Sequence, residues 1–389
     1  MIRLFVNGLA ASAGGGLTYL RNVIPEFARH GDAEITVLLN PALRKEFGDP
    51  PNVSFVDAAG SSGSISRLFR EQIELPKMIR RSGAQVLLST GNFALWKSPV
   101  PQILLSRNAL YTSNDFLRDV RDRGDYRIWA DTLVKGCLAK QSISRADATV
   151  APSQAFAAEL TRWSGREVIA IHHGFDANAF TSDATPLPAE AQALLAEGAD
   201  ALRLLFVSHY NYYRNFETLL RAIPLLKRQL KHENVKLYLT CHLNSRDNPG
   251  NYRAESASSL LRELRASGEV VQLGSIPYRS LHHLYLACHI YVTPAYAESF
   301  AHPLIEAMSM GLPVVAAGLP VHREICGGAA LYFPAFSQEA LAHSVFRIHQ
   351  SPELKSELSQ KGLSRALDFS WRKHVEQLLE LARRLMTAR

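Results

Sequence analysis

The 389-residue chain has few cysteines and no long uncharged apolar run. Its four cysteines, Cys137, Cys241, Cys288 and Cys326, lie far apart without paired spacing, which predicts inert buried thiols in a reducing compartment rather than a disulfide framework. No stretch approaches the roughly 18 to 20 apolar residues of a membrane span. Because residues 1–7 have the pattern of a buried strand and not of a signal peptide, we expect a cytoplasmic protein.

Neither half of the chain carries a distinct excess of charge of one sign. The net charge of +7 is modest for this length, and the two halves are equally basic, so no nucleic-acid-binding tail stands out. Two candidate helices carry basic clusters, one with Arg67, Arg70, Lys77, Arg80 and Arg81 and the next with Arg118, Arg121, Arg123 and Arg127. A solvated face explains both; attraction to the inner face of an anionic membrane is the alternative.

Apolar segments of strand length alternate with longer helical patterns, which is typical of βαβ units and parallel sheets. The predicted strands are 2–6, 34–39, 53–56, 85–89, 102–105, 147–151, 168–171, 202–208, 236–240, 270–274, 290–293, 313–317 and 330–333. The strand pattern lapses over 176–201, as in a linker. We therefore predict an α/β protein with two doubly wound domains, 1–180 and 181–370, and a C-terminal helix over 371–389 that is a candidate to pack back on the N-terminal domain.

The most informative segment runs from Tyr291 to Val315. A strand ends at Pro294, a loop follows, and Pro303 suits the first position of a helix that Gly311 closes. Glu298 precedes this helix and Glu306 lies one turn inside it. The amides of Ser299, Phe300 and Ala301 would cradle a diphosphate, and the two carboxylates could accept hydrogen bonds from sugar hydroxyls. If the two glutamates stood alone, their favourable interaction with the helix dipole would be enough to explain their positions near its amino end.

The whole segment resembles the signature of family-four retaining glycosyltransferases of the GT-B fold: a glutamate, seven residues, a second glutamate, a small residue, a glycine and a Pro-Val-Val strand. The resemblance extends through 321–325 and 328–333 to Phe369-Ser370-Trp371. It implies two Rossmann-like domains that face each other across a cleft. It also implies that Glu298 holds the donor sugar hydroxyls, that Glu306 holds the ribose, and that the intervening amides contact the diphosphate.

A second strand, turn and helix over 204–220 is similar to the family's Gly-Arg, spacer, Lys-Asn segment, whose two cations clamp the leaving diphosphate. Arg214 and Asn215 fall on the Lys-Asn pair. His209 stands where the family has arginine, and Ser208 replaces the glycine. We expect Arg214 to be the main cation and His209 a weaker partner, because phosphate favours imidazolium. The alternative for His209 is a hydrogen-bonding wall residue.

The acceptor side of the predicted site rests on two features of the N-terminal half. Gly14, Gly15 and Gly16 follow the first strand and precede a helix expected to begin near Leu17, where they resemble the family's glycine loop beside the diphosphate and acceptor. After strand 102–105, where members place a histidine, this chain has Arg107 and Asn108. Arg107 could contact donor or acceptor, or could be a salt-bridged scaffold residue.

No metal or other cofactor is expected. The histidines and cysteine at 282, 283, 288 and 289 lack the spacing of a standard zinc site, and Arg214 with His209 would neutralise the diphosphate as magnesium does elsewhere. The resemblance implies transfer of a sugar, with retention, from a nucleotide sugar such as GDP-mannose or a UDP-sugar to a glycan or lipid-linked acceptor in polysaccharide assembly. Alternatives are a nucleotide-sugar epimerase or phosphorylase of the same fold, or a non-catalytic sugar- or lipid-binding protein.

Overall fold

The computed structural model describes residues 1–10, 14–57, 64–231, 234–248, 252–264, 266 and 268–387. The chain divides into two compact units. The first unit consists of Met1–Thr112, Ala130–Gly174 and Ser370–Arg389, and the second unit consists of Ser113–Trp129 and Phe175–Phe369. The second unit therefore combines most of the C-terminal half with one short segment of the N-terminal half.

Within the described residues, each unit contains one sheet in which all strand pairs are parallel. The strands of the first sheet are β1 (Ile2–Asn7), β2 (Ala33–Leu39), β3 (Val53–Asp57), β4 (Val86–Ser89), β5 (Gln102–Leu105), β6 (Ala148–Ala151) and β7 (Ile169–Ala170). Those of the second are β8 (Leu202–Phe206), β9 (Val235–Leu239), β10 (Val270–Gln272), β11 (Ile290–Thr293), β12 (Val314–Ala317) and β13 (Ala330–Phe333). The first sheet has the order β3-β2-β1-β4-β5-β6-β7 and the second β10-β9-β8-β11-β12-β13.

Helices connect most of these strands. In chain order they are α1 (Gly14–Ala28), α2 (Pro41–Arg44), α3 (Ser64–Ser82), α4 (Asn114–Asp122), α5 (Tyr126–Arg145), α6 (Gln154–Ser164), α7 (Ala177–Thr181), α8 (Ala189–Glu197), α9 (Phe216–Gln229), α10 (Glu255–Glu263), α11 (Leu281–Ala287), α12 (His302–Ser309), α13 (Pro320–Cys326), α14 (Gln338–Gln350), α15 (Pro352–Ala366) and α16 (Trp371–Thr387). Short 3₁₀ helices occur at Ala109–Tyr111, Tyr212–Arg214 and Tyr278–Ser280.

The predicted α/β class with two doubly wound parallel sheets is confirmed. Strands that are buried on both faces consist almost entirely of apolar residues. Strand β12 is an example, because all four of its residues are apolar and buried. The predicted ranges for β5, β11 and β13 match at both ends, whereas β8 and β10 end two residues earlier than predicted. Those extra residues already belong to the turns that lead away from the sheet.

Two helix expectations were wrong. The stretch expected to be irregular contains α7 and α8; the side chain of Asp176 caps α7 by accepting from the amide of Ala179 at 3.0 Å. The helix expected near Leu17 begins at Gly14, so the glycines form its first turn. Helix α12 agrees with its prediction, because Pro303 lies in its first turn and Gly311 follows its end with φ 66°.

The C-terminal helix α16 packs in the core of the first unit. Trp371, Val375 and Leu379 are buried there among residues of β1, β2 and α1. His374 is also buried: its Nδ1 lies 2.8 Å from the carbonyl of His172, and its Nε2 lies 3.0 Å from the hydroxyl of Tyr19. Burial lowers the pKa of His374 to about 4. The ring is therefore neutral, so Nδ1 donates to the carbonyl and Nε2 accepts from the tyrosine.

The prediction that all four cysteines are buried was wrong for Cys137, which is exposed on α5. Cys241, Cys288 and Cys326 are buried, and burial raises the pKa of each thiol to about 12. These three thiols are protonated at neutral pH and therefore poorly reactive. Among the helices that the structure describes, none is long and apolar enough to cross a membrane.

Gly174 provides a test of how α16 joins the first unit. A methyl group at Gly174 would overlap the backbone of Ser370 and Trp371, whereas one at Gly31 would meet nothing within 4 Å. Overpacking costs about 1 to 3 kcal/mol, which corresponds to roughly 2 to 12 °C in a unit of this size. We expect Gly174→Ala to lower the melting temperature by that amount in differential scanning calorimetry and Gly31→Ala to change it little. Equal melting temperatures would contradict the packing described.

Candidate functional site

The strand order of the second sheet reverses direction between β8 and β11. After β8 the chain proceeds outward through β9 and β10, and after β11 it proceeds to the other side through β12 and β13. The loops that leave the carboxyl ends of β8 and β11 therefore lie side by side, with no crossover connection above them. Such a switch point is where parallel α/β sheets bind ligands.

Three contacts join these two loops. The guanidinium of Arg214 forms an ion pair with the carboxylate of Glu298 through Nη1 and Oε1. The side-chain amide of Asn215 donates to the carbonyl of Pro294 at 3.1 Å, and the backbone amide of Tyr296 donates to the carbonyl of Tyr213 at 3.0 Å. The structure thus brings the predicted cation and the predicted sugar-binding carboxylate into direct contact.

The Arg214–Glu298 pair is largely removed from water, with side chains 20% and 10% exposed. The guanidinium also lies over the ring of Tyr213, with 4.9 Å between Cζ and the ring centroid. Its Nε is buried and has no hydrogen-bond partner among the described residues. Because guanidinium carries five N–H donors, pairing with Glu298 leaves donors for a second anion.

Asn215 shapes the loop rather than presenting a free side chain. Its backbone has φ 56° and ψ 47°, a left-handed conformation that asparagine tolerates better than most residues. Besides donating to Pro294, its side chain accepts from the hydroxyl of Thr218 at 2.8 Å. Both polar ends of the predicted donor-binding amide are therefore engaged within the protein.

His209 is exposed in the same loop as Arg214. Its pKa is lowered from the ordinary value, first by partial burial of the ring and then by the positive charge of Arg214. The imidazole is consequently neutral at pH 7 in the free protein. An anion bound at Arg214 would reverse the second of these effects, because it would offset the neighbouring positive charge.

Ser299, Phe300 and Ala301 immediately precede α12. Ala301 has φ 64° and ψ 63°, and this left-handed residue turns the chain into the helix. Phe300 is 2% exposed and its ring packs edge-on against Phe369 at 5.7 Å. The segment is therefore held at the amino end of α12, where the helix carries partial positive charge.

Glu306 lies within α12 and is only 5% exposed. Its Oε2 accepts from the hydroxyl of Tyr285 at 2.8 Å, and Tyr278 also hydrogen-bonds to the carboxylate. Burial raises the pKa of Glu306 to about 7, and the hydrogen bonds from Tyr285 and Tyr278 limit the rise. At neutral pH the carboxyl is thus poised between its two protonation states.

The tyrosines around Glu306 and Glu298 carried no sequence signal. Tyr285 is a helical aromatic residue of the kind that usually fills a core, and Tyr278 is the first residue of a 3₁₀ turn. Tyr296 lies two residues before Glu298, and its hydroxyl donates to Asp119 at 2.6 Å. Because Asp119 is 177 residues away in the chain, the pattern of neighbouring residues could not indicate this contact.

In the first unit, Arg107 binds main-chain carbonyls. Its guanidinium donates to the carbonyls of Gly15 at 2.9 Å and Thr90 at 2.8 Å, and lies 5.1 Å from the ring centroid of Tyr19. Among the described residues no carboxylate pairs with Arg107, so the salt bridge expected in the scaffold alternative is not observed there. Asn108 caps the 3₁₀ helix Ala109–Tyr111 by accepting from the amide of Leu110 at 3.0 Å.

The three clustered histidines and Cys288 do not point toward a common position. Rings of His282 and His283 lie 3.9 Å apart, but His289 faces Arg203, whose backbone amide donates to Nδ1 of the imidazole at 3.1 Å. Cys288 is buried. Within the described part of the chain no three histidine, cysteine, aspartate or glutamate side chains are grouped so that they could hold a metal ion.

Comparison with known proteins finds a family match in the second unit. A family model described as glycosyl transferases group 1 matches residues 192–365, a range that includes Arg214, Glu298 and Glu306. The D-inositol 3-phosphate glycosyltransferase of Saccharomonospora viridis is 31% identical over 208 residues, which are 51% of this chain and 47% of that protein. O-antigen chain mannosyltransferase B of Escherichia coli is 30% identical over 112 residues, 29% of each. The chain matches less than half the length of these two curated relatives.

Solved structures share the fold over the entire chain. Sucrose-phosphate synthase from Thermosynechococcus elongatus aligns with a TM-score of 0.76 and 20% identity, covering 100% of both chains. Anabaena HepE in complex with UDP-glucose aligns with a TM-score of 0.72 and 16% identity, covering 98% of this chain and 99% of that one. These solved structures show that the chain has the fold of the two proteins. Residues 192–365, which match the family model of glycosyl transferases group 1, carry the family resemblance seen in the sequence.

Proposed function

We propose that this protein is a retaining glycosyltransferase that moves a hexosyl group from a nucleotide-diphosphate sugar to a glycan or lipid-linked acceptor. One observation carries the proposal. At the switch point of the sheet in the matched region, a largely buried cation, Arg214, is paired with a carboxylate, Glu298, at the amino end of a helix. A cation and a helix amino end both stabilise a bound diphosphate, and a carboxylate accepts hydrogen bonds from sugar hydroxyls.

In this proposal the ion pair is the resting state of the site. Donor binding gives Arg214 the diphosphate as its counter-ion and frees Glu298 to accept from sugar hydroxyls. The bond between the sugar C1 and the diphosphate oxygen then breaks, and a bond between C1 and the acceptor oxygen forms on the same face. The leaving diphosphate takes both the bonding electrons and the acceptor proton, and Arg214 stabilises the charge that develops on it.

Other residues of the second unit bind the remaining parts of the donor. Glu306 is placed to accept from the ribose hydroxyls, and the backbone of Ser299, Phe300 and Ala301 lies at the positive end of α12 for the diphosphate. His209 adds a second positive charge once the bound diphosphate raises its pKa. Because these groups supply the positive charge, the proposed reaction uses no metal and no other cofactor.

The proposal also names candidate donors and a class of acceptor. A mannosyltransferase among the relatives and a UDP-glucose complex among the structural neighbours support GDP-mannose and UDP-sugars as the first donors to test. A polysaccharide precursor is the proposed acceptor class. On the acceptor side, Arg107 acts by holding the carbonyl of Gly15, so it fixes the helix start formed by Gly14, Gly15 and Gly16.

Attraction to an anionic membrane surface is a further part of the proposal. Lys77, Arg80 and Arg81 are exposed on α3, whereas Arg118, Arg121 and Arg123 of the second cluster are each paired with carboxylates. The side chains of Arg67 and Arg70 lie outside those described. Stronger co-sedimentation of the protein with anionic vesicles than with neutral ones would support binding to an anionic membrane surface.

The decisive experiment screens donors without an acceptor. We would incubate the protein with UDP-glucose, GDP-mannose and ADP-glucose in EDTA and measure nucleotide release beside a Glu306→Ala control. Release from one donor, lost in the control, is the expected result. Binding without release or transfer would instead indicate a non-catalytic sugar-binding protein, and interconversion of the donor sugar would indicate an epimerase.

Substitution of Arg214 tests the role of the cation. We expect Arg214→Ala to lower kcat by about 10²- to 10³-fold, the usual effect of removing one donor to a developing negative charge. Arg214→Lys should lose about tenfold, because it keeps the charge but not the fork geometry. Arg228→Ala, an exposed arginine on α9, is the matched control. An Arg214→Ala variant with wild-type kcat would remove Arg214 from the mechanism.

The raised pKa of Glu306 predicts a pH dependence of nucleotide binding. Ribose hydroxyls donate to the ionised carboxylate, so binding should strengthen as the pH rises through about 7. Between pH 6 and pH 8 the ionised fraction increases about tenfold for a pKa near 7. We expect the affinity for the nucleoside diphosphate of the active donor, measured by calorimetry, to rise by up to that factor. Glu306→Gln should remove this rise; an equal rise in the variant would assign it to another group.

A further inference from the structure

The segment Ser113–Trp129 comes from the N-terminal half of the chain but belongs to the second unit. Its helix α4 is capped by Ser113, whose hydroxyl accepts from the amide of Phe116 at 3.2 Å. Phe116 and Val120 are its buried residues. The ring of Phe116 packs edge-on against Tyr213 at 6.2 Å, directly beside Arg214. One face of α4 therefore lies against the loop that follows β8.

Asp119 of α4 reaches the other loop. Its Oδ2 accepts from the hydroxyl of Tyr296 at 2.6 Å, and its Oδ1 accepts from Nε of Arg123 at 2.7 Å. Tyr296 is 5% exposed and stands two residues before Glu298. A charge-assisted hydrogen bond to a buried hydroxyl fixes both distance and direction. Asp119 thus ties the Glu298 loop to α4.

Arg123 extends the same connection back to the first loop. Its Nη1 donates to Glu217 at 2.8 Å, and its guanidinium lies 4.3 Å from the ring centroid of Tyr212. Glu217 is in the first turn of α9, immediately after Arg214 and Asn215. The hydroxyl of Tyr212 donates to Asp125, which in turn pairs with Arg253. The two loops are consequently held by one continuous set of hydrogen bonds.

Charged residues of α4 that do not reach the loops behave differently. Arg118 and Asp115 form an ion pair with side chains 66% and 49% exposed, and Arg121 and Asp122 one with side chains 60% and 62% exposed. Arg123 and Asp119 are each 22% exposed. Exposed pairs contribute little to stability, whereas partly buried pairs with additional hydrogen bonds impose geometry. The partly buried charges of α4 and its C-cap, Asp119 and Arg123, are thus those that contact the two loops.

We propose that Asp119 and Arg123 are positioning residues that set the relative placement of Arg214 and Glu298 without touching substrate. The inference rests on the proposed function for its effect on catalysis, but its effect on the loops does not depend on that function. Loss of the Asp119–Tyr296 bond should loosen residues 294–301. Because catalysis depends on orientation to a fraction of an ångström, a looser loop should lower kcat more than it changes KM.

The first experiment measures amide hydrogen exchange in the full-length protein without ligand. We expect Tyr296→Phe and Asp119→Ala to exchange about tenfold faster over 294–301 than the wild type, consistent with loss of one charged hydrogen bond. Asp115→Ala, on the same helix but away from the loops, is the matched control. Asp119→Asn keeps an acceptor for Tyr296 and should exchange at an intermediate rate. Equal exchange in Tyr296→Phe and wild type would overturn the proposal.

The second experiment uses whichever of UDP-glucose, GDP-mannose or ADP-glucose the wild type cleaves. Tyr296→Phe and Asp119→Ala should lower kcat about tenfold with KM within about twofold, while Asp115→Ala stays at the wild-type values. A general loss of folding would instead reduce the active fraction, which circular dichroism and active-site titration with the nucleotide detect. Unchanged kcat with an active wild type would overturn the positioning role. A wild type that cleaves no donor would contradict the proposed function alone, and hydrogen exchange would still decide the positioning.

Discussion

The ion pair between Arg214 and Glu298 is the interaction on which the rest of the second unit's site depends. Each side chain is largely buried, and a buried charge without its partner costs several kcal/mol. The loops that carry them must therefore stay together in the free protein. The backbone bond from Tyr296 to Tyr213, the left-handed Asn215 and the contacts of α4 all serve this requirement.

The two sheets use the same edge in different ways. In the second sheet, Arg214 at the carboxyl edge pairs with the carboxylate of Glu298, which the donor diphosphate would replace in the proposed reaction. In the first sheet, Arg107 meets the carbonyls of Gly15 and Thr90, which are neutral and covalently fixed. In the proposed reaction Arg214 therefore exchanges its partner, whereas Arg107 keeps the same partners. The distinction follows from the partners and not from the arginines themselves.

Much of the fold could be predicted because fully buried parallel strands leave an unambiguous apolar signal. Ile290–Thr293 and Ala330–Phe333 were delimited at both ends for this reason. Glu298, Glu306 and Arg214 were predicted from the resemblance to the family signature, and the structure brings Arg214 and Glu298 into contact. Short helices such as Ala177–Thr181 have too few residues for a helical period to appear. The tyrosine partners of Glu306 could not be predicted, because contacts between side chains distant in sequence leave no local pattern.

The composition of the second unit has a consequence for modularity. The family model covers residues 192–365, yet the unit also requires Ser113–Trp129, which lies outside that range. A fragment that began at Phe175 would leave the hydroxyl of Tyr296 and the carboxylate of Glu217 without Asp119 and Arg123. Recombination that exchanged only the matched region between relatives would separate these partners. A transplantable form of this unit would therefore comprise two separate stretches of the chain, Ser113–Trp129 and Phe175–Phe369.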